Sequence, residues 1–133
     1  EGKAEGPVIG GNLSLISAAM GTPYEMDAKG KIIFFEEVSE PVTKIEKWCY
    51  HLKNSGKFKD CKGILLGQFT DITNELMPEY TVIDCIREII DDVDVPVMYN
   101  LQAGHGEKNI TIPFGTNCIM DTEKKSITFD IDR

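Results

Sequence analysis

Apolar and polar positions recur with different periods along the first hundred residues, and each period predicts a different kind of element. Residues 13–20 carry apolar side chains at helical spacing and are followed by Gly21, which predicts a short helix that ends there. Residues 31–38 are largely apolar on both faces of an alternating pattern, which is typical of a buried strand. This strand ends in two adjacent carboxylates, Glu36 and Glu37.

Two longer segments have the pattern of amphipathic helices. Thr43 and Glu46 have the spacing of a capping box, which predicts a helix that begins at Thr43, and Gly56 is placed to end it in the left-handed conformation. Pro78 predicts the start of a second helix, because its fixed backbone angle suits a first helical turn. The predicted core side of this second helix consists of Val82, Ile83, Ile86, Ile89 and Ile90.

Short apolar segments at 63–67 and 95–99 predict two further strands. The order strand, helix, strand, helix, strand predicts parallel neighbours joined by right-handed crossovers. Three β-rich segments then follow at 109–113, 117–121 and 126–131, separated by turn residues. The predicted fold class is therefore α/β, a single domain with a parallel βαβαβ core followed by antiparallel β-hairpins.

Composition and charge limit the function classes that need to be considered. With 133 residues and 41% apolar content, the chain can bury the core of one ordinary domain. The net charge of -8 opposes the electrostatics of nucleic-acid binding, so we expect no DNA or RNA partner. No stretch approaches the roughly 20 apolar residues of a membrane span, so we expect no membrane insertion. The first residue is Glu1 rather than Met, and we expect that synthesis begins further upstream.

The four cysteines predict neither a disulfide scaffold nor a metal site. None of them forms a C-x-x-C pair of the kind that builds zinc sites, and each lies within an apolar pattern. They are interpreted as small buried apolar residues, which suits a reducing cytoplasm. No metal and no cofactor is therefore predicted. The cysteines are Cys49, Cys61, Cys85 and Cys118.

Glu36 and His105 are the candidate site residues. Glu36 falls at the carboxyl end of a strand, where ligand sites of open α/β sheets gather, although Glu36 and Glu37 are also explained as the strand's exit to water. Side-chain alternation predicts that one of the two glutamates points inward and the other outward. His105 lies between Gly104 and Gly106 in a bare loop after strand 95–99; the alternative is an ordinary solvated side chain.

A carboxylate beside an imidazole has a defined chemical use, because it fixes the tautomer of a histidine that takes a proton from a nucleophile. No serine lies in a G-x-S-x-G elbow, so the nucleophile must come from elsewhere. His51 lies on the polar side of a predicted helix and is the weaker candidate. Asn12 and the loop at Thr70 and Asp71 could approach the same cleft, but we interpret them as a helix cap and a turn.

Four motifs in order, "GGNLSLI", "GTPYEMDAKGKIIFFEEVSEP", "GILLGQFTD" and "VPVMYNLQAGHGEKNITIPFG", resemble the C-terminal domain of the serine LD-carboxypeptidases, a family that includes microcin-immunity peptidases. The resemblance runs from about Gly10 to Phe129. It implies a swivelling β/β/α-type domain that supplies Glu and His of a Ser-Glu-His triad. The resemblance implies that the family's catalytic glutamate is Glu36, the first glutamate of "FFEEV", and that its catalytic histidine is His105 of "AGHG".

The resemblance also implies the reaction and the partners. Family members release the terminal D-alanine of murein tetrapeptide by cleaving an L,D bond in cell-wall recycling, and they are typically cytoplasmic and often dimeric. Residues 1–133 correspond to the C-terminal domain, so the serine is expected on an N-terminal domain of the same polypeptide, and this chain alone is expected to be inactive. Lys47 departs from the Arg of many relatives. Two alternatives stay open: a phosphohistidine-type swivelling carrier domain and a non-catalytic binding module.

Overall fold

The computed structural model describes residues 1–131 and consists of a six-stranded mixed sheet with four helices. The strands are β1 (Lys3–Asn12), β2 (Ile32–Val38), β3 (Gly63–Thr70), β4 (Val97–Met98), β5 (Asn117–Asp121) and β6 (Ser126–Phe129). The helices are α1 (Leu13–Ala19), α2 (Val42–Asn54), α3 (Lys57–Asp60) and α4 (Val82–Ile89). In the part of the chain that is described, no helix has the length and apolarity that a membrane crossing requires.

The sheet has the strand order β4-β3-β2-β1-β5-β6. Strands β1 to β4 are parallel to one another, whereas β5 is antiparallel to both β1 and β6. The four parallel strands lie side by side in chain order, so crossovers of one hand place the connecting helices on one face of the sheet. The predicted α/β class, with a parallel core and antiparallel strands at the end of the chain, is confirmed.

The core has two halves, one on each face of the sheet. Ile33 and Phe35 of β2 pack with the apolar sides of the helices. Ile32 and Phe34 pack on the opposite face with β1, β5 and the irregular segment that contains Ala103. Because both faces of β2 are covered, its sequence is apolar at consecutive positions, as predicted for a buried parallel strand.

The most important strand for the site was not predicted. Strand β1 lies at the centre of the sheet between β2 and β5, yet its sequence contains Gly6, Pro7, Gly10 and Gly11. Glycine and proline are unfavourable inside strands, so local propensity does not predict a strand here. Gly10 is required by packing, because a β-carbon there would overlap the backbone carbonyl of Phe34 in the neighbouring strand.

Both predicted helix starts need correction. Helix α2 begins at Val42 with Pro41 as its N-cap, and no side chain caps it, so the capping box predicted at Thr43 is wrong. The chain enters α2 through a backbone hydrogen bond from Val42 N to Thr73 O, 2.9 Å, which fixes the first turn without a side-chain cap. The capping box lies instead at the start of α4, where Thr81 is the N-cap.

Thr81 accepts from Asp84 N at 3.2 Å and Asp84 accepts from Thr81 N at 2.9 Å. Helix α4 therefore begins at Val82, four residues after the predicted start at Pro78, which lies within a turn closed by the hydrogen bond from Tyr80 N to Met77 O. The predicted left-handed end of α2 is confirmed, since Gly56 has φ 80°.

The second half of the chain forms one hairpin, β5–β6, rather than several. The segment 109–113, predicted as a strand, is irregular, because Ile110 N bonds back to Gln102 O at 2.7 Å and closes a loop instead of pairing in the sheet. Strand β6 ends at Phe129, short of the predicted 131, and β4 has only two residues.

All four cysteines are free and buried, as predicted. Burial raises the pKa of the Cys61 and Cys85 thiols to about 11 and also raises the pKa of Cys49 and Cys118. Their thiols are therefore held in the neutral, unreactive form at neutral pH.

Candidate active site

Strand β2 ends at the same edge of the sheet as β1 and β3, and it brings two buried carboxylates to that edge. Glu36 is 5% exposed and Glu37 is 2% exposed, so the expectation that one of them points out to water is wrong. Alternation does send them to opposite faces: Glu36 contacts the loop around Gly104, and Glu37 contacts the start of α1. Both are buried because both faces of the sheet are covered here.

Glu36 and His105, which are 69 positions apart in sequence, form a direct pair. His105 Nδ1 lies 2.7 Å from Glu36 Oε2. The side chain of Glu36 is 7% exposed and that of His105 is 51% exposed. Because a carboxylate oxygen only accepts, Nδ1 is the donor, which leaves Nε2 of a neutral ring as the basic nitrogen. Within residues 1–131, Nε2 has no hydrogen-bond partner, so it is open to a group from outside.

The loop that carries His105 is attached to the end of β3 by backbone hydrogen bonds. Leu101 N donates to Leu66 O at 3.1 Å and Gln68 N donates to Ala103 O at 2.9 Å. The chain after β4 is therefore led along the carboxyl end of β3 toward Glu36.

The two glycines that flank His105 let the loop approach closely. Gly104 has φ 137°, and a β-carbon there would lie 2.9 Å from Glu36 Oε2. A β-carbon at Gly106 would overlap the side-chain amide of Gln68, whose buried Oε1 has no partner among the described residues. The Gly-His-Gly sequence is thus a packing requirement as well as a source of backbone freedom.

Asn12 does more than the sequence analysis assigned to it. It caps α1 as predicted, since its Oδ1 accepts from Leu15 N at 3.3 Å. Its Nδ2 also lies 2.7 Å from Glu37 Oε1 and 3.3 Å from Glu36 Oε1. The signal that could have found this contact is the position of Asn12 directly opposite Glu36 in the parallel register of β1 and β2, but β1 was not predicted.

The other candidates lie apart from the pair. Thr70 and Asp71 form the predicted turn, with Asp71 at φ 53°. His51 pairs with Ser17 on α1, where Ser17 Oγ and His51 Nδ1 are 2.7 Å apart. Lys47 is exposed, and nothing in the structure explains its difference from Arg.

Among residues 1–131, no serine hydroxyl bonds to His105, and no group of three His, Cys, Asp or Glu side chains is arranged to hold a metal ion. An open pocket of about 310 Å³ adjoins the site next to Asn12. Its lining includes the backbone of Gly10 and Gly11 and the side chains of Leu15 and Tyr24. Asn12 is the residue that this pocket shares with the site, and the geometry offers an acid–base pair without a nucleophile among the described residues.

Comparison with known proteins identifies a family and several longer relatives. The family model described as "LD-carboxypeptidase C-terminal domain" matches residues 5–120. A probable murein peptide carboxypeptidase of Bacillus subtilis is 32% identical over 130 residues, which cover 97% of this chain and 41% of that protein.

Solved structures of longer proteins also contain a part that is similar to this chain. A muramoyltetrapeptide carboxypeptidase from Oxalobacter formigenes superposes with a TM-score of 0.86 at 27% identity, covering 98% of this chain and 46% of that chain. The microcin C7 self-immunity protein MccF in its apo state gives 0.91 at 25% identity, covering 99% and 40%. The chain spans about two fifths of the length of the curated relatives it matches. The chain belongs to the LD-carboxypeptidase C-terminal domain family.

Proposed function

We propose that this chain supplies the Glu and His of a Ser-Glu-His triad in a serine LD-carboxypeptidase that releases the terminal D-alanine of murein tetrapeptide. The observation that carries the proposal is the 2.7 Å contact between His105 Nδ1 and the buried Glu36 carboxylate. Membership of the family and the name of the Bacillus subtilis relative support the substrate class.

Each group has a defined part in this chemistry. Glu36 holds the His105 ring with its proton on Nδ1, so Nε2 takes the proton of a serine hydroxyl as that oxygen attacks the carbonyl of the scissile bond. The Glu36 carboxylate stabilises the imidazolium that results. His105 then gives the proton to the leaving amine of D-alanine, and a water activated in the same way releases the remaining peptide from the serine.

The nucleophile and the donors that stabilise the oxyanion belong, in this proposal, to an N-terminal domain of the same polypeptide. The larger size of the relatives supports this assignment. Residues 1–133 are then the C-terminal domain, of the swivelling β/β/α type, and the chain alone does not turn over substrate. A cytoplasmic location and a dimer of the longer polypeptide belong to the same proposal.

The test uses a polypeptide with the additional N-terminal length of the relatives, assayed for D-alanine release from murein tetrapeptide. We expect Glu36→Gln and His105→Ala each to abolish hydrolysis while the circular dichroism spectrum and melting temperature stay close to those of the wild type. Near-normal turnover in either variant would show that the role assigned to that residue is wrong.

A second candidate substrate is a peptide antibiotic, because MccF is a self-immunity protein and shares this fold with a TM-score of 0.91. Microcin C7 and murein tetrapeptide should therefore be assayed side by side with the same enzyme. The substrate with the larger kcat/KM identifies the substrate class. Loss of both activities in Glu36→Gln would show that both substrates are hydrolysed at the same site.

The remaining alternatives predict different results. A phosphohistidine carrier would accept phosphate on His105 from a phosphodonor, but a carboxylate 2.7 Å from Nδ1 repels a phosphate placed there. A non-catalytic binding module would show no hydrolysis even with the additional N-terminal length present. Phosphorylation of His105 in the first case, or a complete lack of turnover in the second, would favour these functions.

A further inference from the structure

Glu37 is a buried carboxylate that the proposed proton transfer does not use. Three N–H groups surround it: Asn12 Nδ2 at 2.7 Å, Ser14 N at 2.8 Å and Val38 N at 3.0 Å. All three are donors, so a carboxylate satisfies them and an amide in its place would not. Glu37 therefore ties together the end of β1, the start of α1 and the end of β2.

The orientation of the Asn12 amide follows from its partners. Its Oδ1 accepts from Ser14 Oγ at 2.7 Å and from Leu15 N at 3.3 Å, so its Nδ2 must face the two glutamates. One N–H of Nδ2 reaches Glu37 Oε1, and the 3.3 Å contact to Glu36 Oε1 takes the other. The contacts thus form a chain from Glu37 through Asn12 and Glu36 to the ring of His105.

We propose that Asn12 and Glu37 are positioning residues that hold the Glu36 carboxylate with Oε2 toward His105. The inference rests on the proposed function of Glu36 and His105 and extends it to the residues behind them. Without a donor on Oε1, the carboxylate of Glu36 is free to rotate about its last side-chain bond. His105 then also populates the tautomer that carries the proton on Nε2, and this form does not accept a proton from serine.

The competing interpretation is that Asn12 only caps α1. The substitution Asn12→Ser distinguishes this capping role from the proposed positioning role. Serine is as good an N-cap as asparagine, so the helix start is kept, whereas the Nδ2 donor to both carboxylates is lost. The matched control is Thr81→Ala, which removes the N-cap of α4, a residue that hydrogen-bonds to Asp84 and to none of the site residues, and leaves Asn12 intact. Glu37→Gln tests the other end of the contact chain with little change in volume.

Two readouts are needed. The tautomer of His105 is read from the ring ¹⁵N chemical shifts of this chain by two-dimensional NMR, which does not depend on hydrolysis. We expect the wild type and Thr81→Ala to show the proton on Nδ1, and Asn12→Ser and Glu37→Gln to show a mixture of both tautomers. In the polypeptide with its N-terminal length, we expect kcat to fall about 10- to 100-fold in these two variants, with KM changed less than about twofold.

The outcomes separate this inference from the proposed function. Wild-type tautomer and kcat in both Asn12→Ser and Glu37→Gln, with Glu36→Gln inactive, would overturn the inference alone. Full activity of Glu36→Gln would remove the proposed function, and the NMR result would still decide whether Asn12 orients Glu36. If Asn12→Ser does not fold, Glu37→Gln decides by the same readouts; failure of both to fold would make the contact chain structural and overturn the inference.

Discussion

His51 and His105 each place Nδ1 2.7 Å from an oxygen atom, but the two oxygens differ in charge and in position. His105 contacts a buried carboxylate at the carboxyl edge of the parallel strands. His51 contacts the hydroxyl of Ser17, in the space between helices α1 and α2. A hydroxyl both donates and accepts, so Ser17 leaves the tautomer of His51 undetermined, whereas Glu36 fixes that of His105.

The comparison shows that a short contact to a histidine does not by itself indicate a catalytic site. The Ser17–His51 pair has the residue types of a nucleophile and its base, yet Ser17 is 8% exposed and lies within a helix, not on a strand-to-helix turn. The Glu36–His105 pair lies where several strands end together, and the side chain of His105 is 51% exposed. Position in the fold distinguishes the two pairs more clearly than distance does.

The largest expected difference between the pairs is in hydrolysis. In the polypeptide with its N-terminal length, we expect His105→Ala to lower kcat/KM by about 10³-fold or more, because the general base is lost. The kcat/KM of His51→Ala should stay within about twofold of the wild-type value. Initial rates of D-alanine release measure both, and an equal loss in the two variants would contradict the distinction drawn between them.

A smaller but still large effect is expected from the glycine before His105. Gly104→Ala places a methyl group 2.9 Å from Glu36 Oε2 and should lower kcat about 10- to 100-fold by moving the His105 loop. Gly115→Ala is the matched control, since Gly115 has φ 82° and open space around its α-carbon. It should cost only about 1–2 kcal/mol of unfolding free energy, measured in urea, and leave the rate unchanged.

Ser17→Ala tests the other pair. Removing the hydroxyl deletes one hydrogen bond to an exposed histidine, so we expect the unfolding free energy to fall by about 0.5–1.5 kcal/mol. Urea denaturation measures this change, and hydrolysis by the longer polypeptide should not change. A large loss of hydrolysis in this variant would instead assign the Ser17–His51 pair to the reaction.

The smallest expected effect concerns acid stability near His51. A hydrogen bond from Lys57, at 2.8 Å, and the backbone N–H of Gly21 hold the pKa of Glu25 below its usual value of 4.5. A lowered carboxyl pKa contributes stability that is present above pH 4.5 and is lost as the pH falls below it. Between pH 6 and 3, the melting temperature of Glu25→Gln should therefore fall slightly less than that of the wild type. An identical decrease would show that this partly exposed ion pair is screened by solvent.

Elements with long or regular apolar patterns were predicted well, and elements whose existence depends on distant partners were not. Strand β2 and the core face of α4 follow from consecutive or periodic apolar residues, which depend only on the local chain. Strand β1 contains Pro7 and three glycines, Gly6, Gly10 and Gly11, so nothing in its local sequence marks it as a central strand. Its partners β2 and β5 supply the ladder that makes it a strand.

For the site, the residue types of Glu36 and His105 and their glycine-rich and strand-end settings could be read from the sequence. The sequence by itself determined that a buried strand ends in carboxylates and that a histidine stands between two glycines, because these are local properties. Only the tertiary structure decided that Glu37 is buried, that Asn12 lies between the two glutamates and that His105 reaches Glu36. Each of these depends on the parallel register of β1 with β2 and on the loop bonded to β3, which join residues far apart in the chain.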